Sequence, residues 1–266
     1  MHTARSHLAL AHASAWLLGA ALLLFLAVPI ILLVALGAAG IGGALRDPET
    51  IAALETTFVT ATVATLIAAL CGSPIAYALS RTSFRGRTLI AAIVDLPLLI
   101  PHPVAGIAIL LLVSRDTALG SALLGIGLRV VGTPAGIVAA MLFVSAPLYI
   151  SAAREAFARV DRRYEFVART LGDTSWAAFR RVTLPLARRG LASAAIVTWA
   201  RAVSEFGAVV VLAYNPKVVS VLSYDRFTTG GLRDALPIAA TLVVVSLVPL
   251  VVLRALRYDR SSEAVS

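Results

Sequence analysis

Two polar clusters interrupt otherwise apolar stretches of this sequence and could act on a charged solute. The first lies in WARAVSEFGAVVVLAY, where Arg201 and Glu205 are four residues apart and Ser204 stands between them. In a helix this spacing puts both charged groups on one face, where they can form an ion pair. An arginine can also present several donors to an oxyanion, with Ser204 as an additional hydroxyl donor. Both interpretations stay open: a structural ion pair in a bundle interior, or the lining of a solute path.

The second cluster lies in DLPLLIPHPVAG, which brings Asp95, Pro101, His102 and Pro103 into a long hydrophobic run. Each proline removes a helix hydrogen bond and bends the axis. Broken backbone at membrane depth is tolerated where protein or a water-filled cavity covers it, and broken spans often mark transport sites. The pattern therefore favours a path-lining or gating role and a simple packing kink equally.

The sequence lacks the common motifs of enzymes and metal sites. It contains no His-Glu-x-x-His pair and no Gly-x-Ser-x-Gly elbow, and its one cysteine, Cys71, can form neither an internal disulfide nor a cysteine cluster. The only lysine, Lys217, follows Asn-Pro, so a Gly-x-x-x-x-Gly-Lys-Ser/Thr phosphate loop cannot form. We predict no catalytic residue, metal ligand or cofactor, and any ATP-driven process would need an ATPase on another chain.

The composition places these clusters in a membrane. The 266 residues are 59% hydrophobic and 14% charged, whereas about a quarter of the residues of a soluble domain are charged. Six stretches are long enough to cross a bilayer as helices and lack the alternation of barrel strands. We predict an all-α integral membrane protein with one membrane domain over residues 1–266 and six transmembrane helices, near Ala13–Gly37, Thr56–Ser80, Thr88–Ser114, Gly132–Ala153, Gly190–Tyr214 and Ala235–Leu253. The first stretch is too long for a signal-peptide core of about 7–15 residues, so it is interpreted as a retained span.

The basic residues predict the orientation of these helices. If both termini are cytoplasmic, the inner segments carry 16 of the 23 lysines and arginines, the outer segments carry 6, and Arg201 lies within a span. This bias follows the positive-inside rule. The net charge of +9 is therefore interpreted as a topology signal that contacts lipid head groups, and not as a nucleic-acid-binding surface.

The longest inner segment, about residues 154–189, contains the polar stretch EFVARTLGDTSWAAFRRVTLP from Glu165 to Pro185. A helix is expected to leave the fourth span over Glu155–Arg163, and the helical VARTLG is expected to end at Gly172, because glycine adopts left-handed geometry without strain. A very short helix should follow, and Pro185 suits the first turn of the next span. The candidates for the N-cap oxygen of the short helix are Asp173, Thr174 and Ser175.

Trp176 and Phe179 lie three residues apart in this stretch and are expected on one face of the short helix. Such an aromatic face could enter a groove on a partner protein. It could equally rest on the lipid interface while the neighbouring arginines satisfy the topology. The residues alone leave both interpretations open.

The same stretch resembles the cytoplasmic coupling loop of the permease subunits of ATP-binding-cassette importers. The pattern of that family is Glu-Ala-Ala, three residues, a glycine, and then about a dozen residues to a Leu-Pro pair. The residues in register are Ala168, Thr170, Leu171, Gly172, Phe179, Leu184 and Pro185.

One position departs from that pattern. Counting back from Gly172, the glutamate of the family falls on Phe166, and Glu165 lies one residue earlier. The departure predicts that anchoring to the ATPase at this point is apolar, or is shifted to Glu165.

Three longer stretches extend the resemblance to nearly the whole chain. They are similar to permeases of the molybdate/tungstate branch, with sulfate permeases as the nearest relatives: DLPLLIPHPVAGIAILLL, FVSAPLYISAAREAF and ARAVSEFGAVVVLAYNPKVVSVLSYDRFTTGGL. The resemblance implies a type I importer permease fold in the inner membrane and a homodimer that alternates its access. It also implies two cytoplasmic ATPase subunits and an extracytoplasmic solute-binding protein. Trp176 and Phe179 would then transmit ATPase closure to the fourth and fifth spans.

Other functions stay open beside an importer of molybdate or tungstate. A sulfate/thiosulfate permease of the same family would show the same motifs. An ion-coupled secondary carrier could use Asp95, Arg201 and Glu205, and a channel or scaffold would need no energy source.

Overall fold

The computed structural model describes residues 2–262, and it describes side chains for residues 16–247. Within this part the chain is helical and contains no strand, as predicted. The helices are α1 (His2–Ala44), α2 (Pro48–Arg81), α3 (Arg87–Leu99), α4 (His102–Val113), α5 (Ala118–Gly125), α6 (Pro134–Ala158), α7 (Arg162–Thr170), α8 (Ser175–Ala178), a π-helical turn (Phe179–Thr183), α9 (Leu184–Val203), α10 (Gly207–Leu212), α11 (Val219–Gly230) and α12 (Leu232–Ser262).

All six predicted spans coincide with helices, but two of them are broken. By length and composition, three helices of the described part can cross a membrane: Trp16–Ala44 of α1, α2 and α6. The third predicted span is the pair α3 and α4, bent by 116° after Leu99. The prolines account for this break, since the residue before a proline avoids helical geometry. The fifth predicted span was expected to be continuous, which is wrong: α9 ends at Val203 and α10 begins at Gly207.

Small residues hold the central helices close together. Gly72 of α2 faces α6 so closely that a methyl group there would lie 2.9 Å from the Ile150 side chain, and one at Gly190 of α9 would lie 2.4 Å from Ala156 Cβ. Between α1 and α12, a methyl group at Gly37 would lie 2.5 Å from Ala240 Cβ. Close approach of this kind drives helix packing where lipid removes the hydrophobic driving force.

A charged network fastens the segment after α10 to the start of α2. Lys217 Nζ donates to Asp225 Oδ2 at 2.6 Å and to Glu49 Oε1 at 3.0 Å, while Tyr214 donates to Asp225 Oδ1 at 2.7 Å. Arg226 Nη2 donates to Glu49 Oε2 at 2.6 Å. The hydrogen bonds from Lys217 and Tyr214 hold the pKa of Asp225 below its ordinary value, and the bond to Asp225 raises the pKa of Lys217.

We expect Asp225→Asn to lower the free energy of unfolding by about 0.2–1 kcal/mol, because part-exposed ion pairs make a small contribution. A carboxylate with a depressed pKa stabilises the fold fully at pH values above its ordinary pKa of 3.8. This stabilisation is lost as the pH falls through the depressed pKa. The contribution of Lys217 is lost only as the pH rises past 10.5. Thermal unfolding in detergent between about pH 5 and 9 should therefore show a constant deficit. The exposed Asp116→Asn is the control, and equal melting of the two variants would contradict the network's role.

Candidate functional site

The break between α3 and α4 lies against the break between α9 and α10. A methyl group on Gly207 would lie 2.8 Å from His102 Cβ and 3.0 Å from Pro103 Cδ. A methyl group on Gly106 would lie 2.8 Å from the carbonyl oxygen of Ala208. Only glycine fits at these two positions, so the backbones of the two broken spans cross at van der Waals distance.

Arg201 joins the two breaks through its guanidinium group. Nη2 donates to Glu205 Oε2 at 2.8 Å and also to His102 Nε2, while Nη1 donates to Ser204 Oγ at 3.3 Å. A guanidinium can only donate, so Nε2 is the acceptor wherever this contact is a hydrogen bond. We call His102, Arg201, Ser204 and Glu205 the crossing cluster.

Glu205 is the most deeply buried member of the crossing cluster, with 1% of its surface exposed. Its Oε1 accepts from the backbone N–H of Ala208 at 2.8 Å, and Ser220 Oγ donates to its carbonyl oxygen at 2.8 Å. The side chain of Arg201 is 23% exposed and lines a cavity of about 390 Å³ beside the crossing. The crossing therefore places a paired arginine at the edge of an open cavity.

The predicted path residues divide into two groups. His102, Pro103, Arg201, Ser204 and Glu205 meet at the crossing. Pro101 precedes α4, and its carbonyl oxygen accepts the backbone N–H of Ala105 at 3.0 Å. Asp95 does not join them: it lies on α3, and Ser151 of α6 donates to its Oδ1 at 3.5 Å. Asp95 is only seven residues before His102 in the sequence. The bend between α3 and α4 nevertheless keeps it away from the cavity.

The segment between α6 and α9 begins with a break that the sequence did not predict. The helix expected over Glu155–Arg163 is interrupted, because α6 ends at Ala158 and α7 begins at Arg162. Asp161 caps α7 by accepting from the backbone N–H of Arg163 at 2.9 Å. The short polar side chain of an aspartate competes with helical continuation in this way.

The next turn of the segment follows the sequence closely. Gly172 adopts a φ of +100° after α7, as a glycine C-terminal stop requires. Of the predicted cap residues, Thr174 is the N-cap of α8 and accepts from the N–H of Ala177 at 3.2 Å. Ser175 is already helical, and Asp173 instead pairs with Arg181 at 2.8 Å.

The short helix does not end before the next span. It passes through the π-helical turn directly into α9, in which Leu184 and Pro185 form the first turn. The N–H of Leu184 donates to the carbonyl oxygen of Phe179, five residues earlier. Pro185 has no N–H to donate, so a wider turn here loses little.

The two aromatic residues of the segment face different surroundings. Their rings stack at 5.5 Å, but Trp176 is 68% exposed whereas Phe179 is half-buried. The Phe179 ring packs edge-on against Tyr77 of α2 at 4.7 Å and tilts against Phe157 of α6 at 6.0 Å. Trp176 is therefore free to contact a partner or lipid, and Phe179 anchors the segment to the bundle.

Glu165 points inward and connects three elements. Its Oε1 accepts from Thr183 Oγ1 at 2.5 Å and lies 3.0 Å from Arg81 Nη2, while its Oε2 accepts from the Tyr77 hydroxyl at 3.1 Å. The Glu165 side chain is 17% exposed. Phe166 beside it is exposed. We call Tyr77, Arg81, Glu165 and Thr183 the Glu165 cluster, and it joins α2, α7 and the π-helical turn.

Further arginine contacts fasten the end of α2 to the same segment. Arg81 Nη1 donates to the carbonyl oxygen of Val160 at 2.9 Å, and Arg162 Nη2 donates to that of Ser80 at 2.9 Å. These groups satisfy carbonyls that a helix end leaves without partners. The sequence reasoning missed Tyr77, Arg81 and Thr183, although Tyr77 and Arg81 are four apart and therefore share one face of α2.

Glu165→Ala should destabilise the protein, because it removes the carboxylate that faces the buried guanidinium of Arg81 and leaves the hydroxyl groups of Tyr77 and Thr183 without their acceptor. We expect a loss of about 1–3 kcal/mol in the free energy of unfolding. The matched control is Phe166→Ala on the exposed side of α7, which should change it by less than about 0.5 kcal/mol. Unfolding of purified protein in mixed micelles measures both. Equal losses would contradict the inward role of Glu165.

Known proteins resemble this chain in sequence and in fold. Residues 64–259 match the sequence model of the family described as "Binding-protein-dependent transport system inner membrane component". The chain is 43% identical over 240 residues to the molybdate/tungstate transport system permease protein WtpB of Thermococcus kodakarensis, which covers 89% of this chain and 92% of the relative. It is 32% identical over 207 residues to the sulfate transport system permease protein CysT of Escherichia coli. This match covers 76% of this chain and 75% of the relative.

The solved structures that resemble the chain share its fold. One is a bacterial alginate ABC transporter in complex with alginate pentasaccharide-bound periplasmic protein, with a TM-score of 0.66 and 21% identity over 88% of this chain and 91% of the matched one. At this identity the likeness concerns the arrangement of the helices alone.

Proposed function

Because the chain belongs to the family of inner membrane components of binding-protein-dependent transport systems, we propose that it is the membrane-spanning permease subunit of an ATP-driven importer for molybdate- and tungstate-type oxyanions. The observation that carries the substrate class is the 43% identity to a molybdate/tungstate permease over nearly the whole chain. The sulfate permease relative is 32% identical over a shorter stretch. Sulfate, a tetrahedral dianion like molybdate, is therefore the second candidate substrate.

The proposed assembly contains two copies of this chain as one membrane domain each, two ATPase subunits and a solute-binding protein. Each copy has six spans, formed by α1, α2, the pair α3 and α4, α6, the pair α9 and α10, and α12, with both termini cytoplasmic. The missing phosphate loop supports a separate ATPase, since the only lysine of the chain is Lys217. The positive-inside bias supports the orientation.

The segment between α6 and α9 docks on the ATPase in this proposal. Its outward surface carries apolar side chains among exposed arginines: Phe166, Val167, Leu171 and Trp176 are all exposed, and so are Arg162, Arg163 and Arg169. An apolar helix face of this kind suits a hydrophobic groove. The anchoring at the family's glutamate position is then apolar through Phe166, because Glu165 is occupied by Tyr77, Arg81 and Thr183.

The crossing cluster forms the gate of the oxyanion path in this proposal. Arg201 supplies charge and donors, and Ser204 supplies a hydroxyl. The helix breaks at Ile100–Pro101 and Ser204–Phe206 allow the two spans to move against each other. Asp95 stays outside this gate, on the far side of the α3–α4 bend.

The function is tested by reconstituting the chain with its ATPase and binding protein in liposomes and measuring uptake of labelled molybdate. We expect uptake that requires ATP and the binding protein, with weaker competition by sulfate than by tungstate. If this chain alone takes up molybdate, driven by a proton or sodium gradient, the protein is a secondary carrier and the proposal is wrong. Flux without any energy source would replace it with a channel.

Gly172→Val should uncouple ATP hydrolysis from uptake while the protein stays in the membrane. Valine is strained at a φ of +100°, although nothing lies within 4 Å of the added Cβ. We expect molybdate uptake to fall at least about tenfold while ATP hydrolysis continues. Gly127→Val is the matched control, since Gly127 has a φ of +81°, equally open surroundings and a position between α5 and α6. Normal uptake by Gly172→Val would refute the coupling role.

A further inference from the structure

The cavity beside the crossing is built to attract an anion only weakly. Arg201 is the only arginine or lysine among the residues that line it, which are His102, Pro103, Arg201, Ser204, Glu205, Phe206 and Gly207. Its charge is balanced by Glu205 at 2.8 Å, and its Nη2 also contacts His102 Nε2. The cavity therefore contains donors for an oxyanion, but its guanidinium is already paired with a carboxylate.

The balancing carboxylate is fixed in place. Glu205 is buried, and its second oxygen accepts from the N–H of Ala208 at 2.8 Å. Arg201 retains unused donors, because its Nε–H has no hydrogen-bond partner among the described residues. An oxyanion that enters the cavity can bind these donors while it still experiences repulsion from Glu205.

The balance of these two charges decides whether the site passes or traps its ligand. An unpaired guanidinium binds a dianion more strongly than a paired one, through charge-assisted hydrogen bonds. A conduction site must bind well enough to admit the solute and weakly enough to release it. A fixed carboxylate 2.8 Å from the guanidinium weakens the attraction without removing the donors.

We propose that Glu205 is the release residue of the oxyanion path: it holds Arg201 in a low-affinity state, so that a tetrahedral dianion passes the crossing without being trapped. This inference rests on the proposed oxyanion transport and adds the residue that limits affinity. It predicts an outcome opposite to that of a purely structural ion pair, because removing the negative charge strengthens ligand binding while transport slows.

The test is equilibrium binding of tungstate to the intact permease–ATPase complex in nanodiscs, together with molybdate uptake in liposomes. Glu205→Gln keeps the shape of the side chain and an acceptor oxygen. We expect this variant to bind tungstate at least about tenfold more tightly than the wild type, and to transport at least about tenfold more slowly. The double variant Arg201→Gln, Glu205→Gln should lose the tight binding.

Glu155→Gln is the matched control, since it makes the same change in an exposed ion pair with Arg159, away from the cavity; its affinity for tungstate should change less than about threefold. If Glu205→Gln fails to fold, Glu205→Asp replaces it. The shorter side chain withdraws the carboxylate from Arg201 and should tighten binding about threefold.

Unchanged or weaker tungstate binding by the folded variant would leave Glu205 as a structural partner and overturn the inference, while wild-type uptake would still support the proposed function. Absence of oxyanion uptake by the wild type would overturn both.

Discussion

Apolar surroundings offer no hydrogen-bond partners, so every polar group inside this bundle must find one within the chain. The threonines of α2 meet the requirement locally: Thr57, Thr60 and Thr65 each donate to the carbonyl oxygen four residues earlier. A broken helix frees backbone groups that no neighbour in the same turn can satisfy. At the break between α9 and α10, side chains meet this need.

At the crossing, one side chain both satisfies a free backbone group and compensates a buried charge. Glu205 accepts the N–H of Ala208 that the break between α9 and α10 releases, and it also compensates the charge of Arg201. Ser220 completes the break by donating to the carbonyl oxygen of Glu205. A buried ion pair adds little net stability by itself, because desolvation offsets the attraction. Here the carboxylate of the pair also accepts a backbone N–H at the helix break. The charges that the proposed path requires are therefore part of the fold.

The sequence predicted the features that depend on neighbours along the chain. The six helical stretches, the stop at Gly172, the position of Pro185 and the Arg201–Glu205 pairing all follow from local spacing and composition. The break after Val203 was missed because no proline marks it; it accompanies the contact of Gly207 with His102, which is about a hundred positions away in the sequence.

The same limit explains the two faces of α7. Sequence spacing assigned Glu165 and Phe166 to adjacent positions, but which one faces the bundle depends on Tyr77 and Arg81 of α2. These partners lie more than 80 residues earlier, and no local pattern reports them. The π-helical turn was missed as well; its residues Phe179 and Thr183 contact Tyr77 of α2 and Glu165 of α7.

Both clusters are connected by α9, and this connection limits how motion can travel in the proposed transporter. The π-helical turn leads into α9 without a break, and Arg201 lies near the other end of that helix, about 25 Å away at the rise of an α-helix. At its start, Thr183 is hydrogen-bonded to Glu165, which also contacts α2. A displacement of α8 therefore reaches α2 and α9 together, and α9 carries it to Arg201. Because His102 of α4 contacts Arg201 there, a shift of α9 relative to α4 would change the distance between the guanidinium and the His102 ring.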